Sequence, residues 1–141
     1  MRLWHHALIP YLPRKQLLSQ WREVCCIAKN IQVKGSPNHV LVNMIMDYPD
    51  SHFNYYAEIV AKEMLARGYK CDFDLFSRYR QTPEVVCTKD DELFYHWHTK
   101  TYAKICMSNL YEKYLCGGLN AIEWMALLNG YKEVYREEFS I

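Results

Sequence analysis

Apolar residues at positions 17, 18, 21, 24, 25 and 28 recur at the i, i+3, i+4, i+7 spacing of one helix face. Pro13 stands just ahead of them, where proline suits a helix start, so the pattern predicts a first long helix over 14–29. The loop Lys34-Gly35-Ser36-Pro37-Asn38 ends it. The next apolar run, 40–48, is too short for its period to separate helix from buried strand, and Pro49 cuts it. Positions 53, 56, 57, 60 and 64 predict a second long helix over 53–67, capped by Asp50 or Ser51 and stopped by Gly68. Residues 69–92 read as irregular, with Pro83 inside and acids at 90, 91 and 92. A third long helix is expected over 99–115, apolar at 102, 105, 106, 110 and 114, ending at Gly117-Gly118. Asn120 with Glu123 three residues on reads as the capped start of a last helix through Leu128, which Gly130 separates from the tail 131–136. No alternating strand pattern and no internal repeat interrupts this series. The expectation is an all-α fold, one compact domain over 1–141 of three long helices plus shorter helical segments.

Composition supports a packed domain. Of 141 residues, 50% are hydrophobic and 15% aromatic, and five Gly with five Pro are too few for a linker-rich or disordered chain. No run approaches the ~18–20 apolar residues of a membrane span, and Met1-Arg2-Leu3-Trp4-His5-His6 lacks the apolar stretch of a secretory signal. A cytoplasmic monomer without membrane contact is expected. The six cysteines (25, 26, 71, 87, 106, 116) form no C-x-x-C pair and read as small core residues in a reducing compartment.

Net charge is only +1, which argues against a nucleic-acid partner until it is resolved along the chain. Residues 1–40 carry Arg2, Arg14, Lys15, Arg22, Lys29 and Lys34 against Glu23 alone, giving +5. Residues 41–141 carry 11 basic and 15 acidic side chains, giving −4. The chain is polarised, and its basic third holds the first helix.

Three groups of residues could carry chemistry. An α-amine titrates near 7.7–8.0, so it is partly nucleophilic at neutral pH, and a helix carboxylate such as Glu23 can serve general acid and base steps. Every chain has an amine, and a helix glutamate is usually a solvated charge, so this pair needs a reason beyond its own presence. His5-His6 and His96-Trp97-His98 are the second group: an H-x-H pair can bind a transition metal if a third ligand approaches, although such histidines more often make buried hydrogen bonds. His5 and His6 could equally line a cleft beside Glu23. Tyr55, Tyr56, Trp124, Tyr131 and Tyr135 could stack on bases but sit at helical spacings that favour core.

Leu17-Leu18-Ser19-Gln20-Trp21-Arg22-Glu23 resembles the Leu-x-x-x-aromatic-Arg-Glu segment of the pyrimidine-dimer DNA glycosylases of the small phage endonuclease V type, at the same distance from the initiator methionine. Met1-Arg2-Leu3-Trp4-His5 and the run from Leu12-Pro13-Arg14 to Glu23 are closer still to a bacterial branch assigned to that family, with likeness continuing through Arg67-Gly68-Tyr69-Lys70. Leu110-Tyr111-Glu112-Lys113 can be laid on the family's Leu-x-Glu-Lys.

The resemblance implies an all-α domain and a DNA-repair glycosylase with abasic-site lyase activity on damaged double-stranded DNA, needing no cofactor and no metal. The terminal amine, here that of Met1, would attack C1′ and form an imine; Glu23 would assist, and β-elimination would nick the strand. By the resemblance Arg22 and Lys113 would contact DNA; the basic residues Arg2, Arg14, Lys15 and Lys29 are further candidate DNA contacts, and His5, His6 and Trp21 are candidates to line the cleft. A nucleotide must leave the stack for this bond to be reached. Three positions depart from the phage pattern. Arg2 stands where those enzymes expose a threonine, Gln16 replaces a histidine, and Asn109 aligns with an arginine of the third helix. Met1 is expected to be retained before Arg2, which moves the amine one residue, up to about 3.8 Å, outward. The alternatives are a non-catalytic nucleic-acid- or protein-binding module of the same fold, and a metal-dependent hydrolase built on the histidines.

Overall fold

The computed structural model of the protein describes residues 1–80 and 92–141. A 3₁₀ turn, His6–Tyr11, leads into α1, Arg14–Lys34. A second 3₁₀ turn, Asn43–Asp47, precedes α2, Asp50–Ala66, and the short α3, Phe73–Ser77. Helices α4, Lys100–Leu115, and α5, Ala121–Tyr135, complete the described chain, which contains no strand among the described residues. Nor is any described helix long and apolar enough to cross a membrane. Pro83, Cys87, Asp90 and Asp91 lie outside the described residues.

The expected stripes of α1 and α2 bury as helical periodicity requires, with Leu18 of α1 only half-buried. On α1, Leu17, Trp21, Val24, Cys25 and Ala28 are buried, and so are Gln20 and Ile27. Helix α1 runs to Lys34, five residues beyond the expected end, because Gly35 takes a left-handed φ of 79° and its N–H bonds the Ile31 carbonyl at 2.9 Å. On α2 every expected apolar position, 53, 56, 57, 60 and 64, is buried. Its start differs from expectation: Pro49 is the cap, and Asp50 is the first helical residue rather than a capping side chain. The ambiguous run 40–48 is neither α-helix nor strand but a turn followed by the 3₁₀ segment. Residues 69–80 are not wholly irregular, since Asp72 caps α3 by accepting from the Leu75 N–H at 3.1 Å.

On α4 the buried face is Ala103, Cys106, Met107 and Leu110, a stripe turned slightly from the expected one, and Ile105 is exposed. Asn120 and Glu123 form the expected capping box, with reciprocal bonds of 2.8 and 2.9 Å. Cys25 and Cys106 are core residues as expected, but Cys71 is half-buried, and Cys26 on α1 and Cys116 just past the end of α4 are exposed.

Gly130 does not end the last helix. It lies buried inside α5 because the Tyr11 ring packs directly on the helix backbone there, where a Cβ would overlap the ring. Gly130→Ala should therefore be destabilising. Overpacking of about 1–3 kcal/mol exceeds the roughly 1 kcal/mol that alanine adds in a helix interior. A lower thermal midpoint for Gly130→Ala that recovers when Tyr11→Leu is added checks this; a raised midpoint in the single variant would refute it.

Candidate active site

Chain termini are usually loose. Here residues 1–5 are threaded against α1, α2 and α4, with Leu3 fully buried and Trp4 and His5 nearly so. Each carbonyl of residues 2–4 is held by a side chain from a different helix. The Gln20 Nε2 donates to the Arg2 carbonyl at 2.9 Å, the Tyr102 hydroxyl to Leu3 at 2.6 Å, and the Tyr56 hydroxyl to Trp4 at 2.7 Å. Burial pushes the Tyr56 phenol well up, reinforced by Tyr102, Cys106 and Glu23, and burial likewise raises Tyr102. Both therefore remain donors across the physiological range.

This anchoring brings the start of the chain to Glu23. The Arg2 backbone N–H donates to Glu23 Oε2 at 3.4 Å, and Gln20 Nε2 donates to the same oxygen at 3.2 Å. Around them lies a cleft of about 490 Å³ lined by Met1, Arg2, Lys15, Glu23, Asn109 and Lys113, among others. Lys15, Gln16, Ser19 and Glu23 reach it because they recur at about one helical turn along a single side of α1. Lys113 comes from α4, far along the chain.

The remaining expected site residues are placed differently. Arg22 is exposed beside the cleft, its Nη2 donating to Ser19 Oγ at 3.2 Å. Lys29 is exposed further along α1 and outside the cleft lining. Arg14 turns away onto the Tyr69 ring, 5.1 Å from its centroid. The Arg2 guanidinium folds over Trp4 and Tyr102, at 5.8 and 6.0 Å. Trp21 does not line the cleft: the apolar side of α1 carries it against Phe73 and Phe76. The expectation for His5 and His6 also needs correction, because the 3₁₀ turn faces them toward His98 instead.

The three rings stack, with centroids 4.6 to 5.6 Å apart, and their nitrogens lie within 4.8 Å of one another. His96 is not part of this group; it is exposed, with its N–H bonded to the Tyr48 hydroxyl. Could the cluster hold a metal? His5 Nδ1 must accept, since the Ala7 N–H that faces it at 3.1 Å can only donate, and His5 Nε2 must then donate to the His98 carbonyl at 2.8 Å. His98 Nδ1 accepts from the His6 N–H at 3.1 Å, and its Nε2 is buried without a hydrogen-bond partner among the described residues. The lone pairs of His5 and His98 are thus already in use. The chemistry favours a neutral latch that ties residue 98 to the N-terminal segment over a metal centre. Burial, then His6, lowers His5 to about 3, and burial, then His5 and His6, pushes His98 far down.

Gln20, Tyr102 and Leu41 escaped the sequence-based site, and Tyr56 was named there only as a base-stacking candidate, which its complete burial excludes. One signal for Gln20 was available: a polar residue at a position that the stripe of α1 assigns to the core. The two tyrosines gave no comparable signal, because buried aromatic positions look alike whether or not the hydroxyl is used.

No curated protein and no solved structure matches the chain. The pyrimidine dimer DNA glycosylase family model matches residues 1–77, which include the anchored terminus, all of α1 and the Arg22-Glu23 pair. That match covers more than half of the 141 residues, and the chain belongs to the pyrimidine dimer DNA glycosylase family.

Proposed function

We propose that the protein is a DNA-repair glycosylase with abasic-site lyase activity, working through its N-terminal α-amine and Glu23. The observation that carries this reading is the contact between the Arg2 backbone nitrogen and Glu23 Oε2 at 3.4 Å, in a cleft that Met1 also lines. The amine attacks C1′ of the damaged nucleotide and the base departs, leaving an imine. Glu23 moves the protons, including the C2′ proton whose loss expels the 3′ phosphate. Lys15 of α1 and Lys113 of α4, which both line the cleft, meet the phosphates, and Arg22 stands beside it. If Met1 is retained, its amine acts from one residue outside the Arg2 position. If Met1 is removed, the Arg2 nitrogen itself becomes the amine and already lies beside Glu23.

Borohydride trapping on abasic-site duplex tests the reading. The expected result is a covalent adduct that peptide mapping places on the α-nitrogen of Met1 or Arg2. No adduct, or one confined to Lys15 or Lys113, would refute it.

A second reading, a non-catalytic DNA-binding module, is favoured by one observation: with Met1 in place, an amide rather than an amine occupies the position beside Glu23. Intact mass together with salt-dependent duplex binding and no trapping would support that reading instead.

A further inference from the structure

We propose that Gln20 is the positioning residue of the cleft, holding the amine-bearing segment and the Glu23 carboxylate in one fixed geometry. The inference rests on the amine-and-Glu23 reading above and assigns a role to a residue that does not itself touch DNA. Gln20 is fully buried on a helix face otherwise built from Leu17, Trp21, Val24 and Ala28. A buried amide is unfavourable unless all its polar atoms are paired, and an apolar residue at the same place would pack without that requirement. Its retention there is intelligible from what its two ends touch.

Gln20 Oε1 accepts the Trp4 N–H at 2.7 Å and lies 2.8 Å from the Tyr56 hydroxyl, whose single proton is shared with the Trp4 carbonyl. Gln20 Nε2 donates to the Arg2 carbonyl at 2.9 Å and to Glu23 Oε2 at 3.2 Å. The amide orientation follows from chemistry: the Trp4 N–H can only donate and the Arg2 carbonyl can only accept, so oxygen must face the first and nitrogen the second. With both nitrogen donors committed, one to the segment and one to the carboxylate, the separation of those two groups is set by the width of a single NH₂ group. Tyr56 and Tyr102 also pin the segment, but neither bonds the carboxylate. Reacting groups need placement to within about half an ångström, and looseness of about one ångström is enough to slow a reaction by orders of magnitude.

The test compares full-length wild type, Gln20→Met and Gln20→Glu. Methionine matches the shape of glutamine without its hydrogen bonds; glutamate keeps an acceptor for Trp4 but has no donor for the Arg2 carbonyl and sets a second carboxylate against Glu23. Two quantities are read on each folded protein. One is amide hydrogen exchange at Leu3 and Trp4 in the absence of DNA, with Val60 of α2 as an internal reference. The other is single-turnover cleavage of abasic-site duplex beside its Kd. The expected result is exchange at least tenfold faster in the N-terminal segment only, cleavage at least tenfold slower, and a Kd within threefold of wild type. Should Gln20→Met fail to fold, Gln20→Glu decides. Unchanged exchange overturns the proposal whatever the activity, and so does unchanged cleavage by a variant of an active wild type. If wild type itself neither traps nor cleaves, the lyase reading falls, and the exchange measurement alone then upholds or overturns Gln20 as the clamp.

Discussion

Glu23→Gln is expected to slow single-turnover cleavage of abasic-site DNA by a hundredfold or more while leaving duplex affinity within a few-fold of wild type. General acid–base assistance typically contributes about 10²–10⁴ in rate, and the substitution removes the proton acceptor while preserving shape. Glutamine keeps an oxygen for the Arg2 N–H and for Gln20 Nε2, which now meet at Glu23 Oε2. The anchored segment should therefore stay in place and the variant should fold as wild type does. Affinity is expected to depend on a different set of groups, the Lys15 and Lys113 side chains that line the cleft and Arg22 beside it, which we propose meet the phosphates. A Glu23→Gln protein that cleaves and traps like wild type would remove Glu23 from the mechanism. A variant that loses cleavage and duplex binding together would make Glu23 a structural residue.

The second large effect is on stability in acid. His5 and His98 are buried neutral imidazoles, with His5 lowered to about 3 by burial and by His6, and His98 lowered by burial and by the other two rings. In the unfolded chain both take up protons near the ordinary histidine value of about 6.5. Between that pH and about 3 the unfolded state binds more protons than the folded one, so stability must fall as the pH falls. It is fully present above about 6.5. Each proton taken up weakens folding by roughly 1.4 kcal/mol per pH unit, so His5 alone accounts for a few kcal/mol of a total stability that is typically about 5–15. The urea midpoint should drop steeply from pH 6.5 to 4.5, and the His5 imidazole should show no titration in that interval by NMR. A flat midpoint, or a His5 ring that titrates above pH 5, would contradict this account. Because the latch holds the same segment that reaches Glu23, loss of activity in acid should accompany the loss of stability.

Much of this was legible along the chain, and the reasons are local ones. Helical periodicity, Gly35 and Gly68 as stops, and the Asn120-Glu123 box act through neighbours within a turn or two, so residue spacing alone placed the four long helices, though not α3 or the far ends of α1 and α5. Glu23 and Lys15 share a side of α1 for the same reason, and the +5 of residues 1–40 is a count of side chains. Gly130 misled because its reason for being glycine is the Tyr11 ring, more than a hundred positions away. The α4 stripe turned for a similar cause, since which of two adjacent faces is buried depends on what packs there.

By itself, then, the sequence determined an all-α chain whose basic first helix carries Arg22 and Glu23 at a family's spacing. Only the tertiary structure decided that Lys113 lines the same cleft as Lys15, that His98 rather than His96 meets His5, and that a buried glutamine joins the start of the chain to Glu23. Each of these brings together positions that are distant along the chain. Spacing along one helix dictates which residues share a face but carries no information about which other face it will meet.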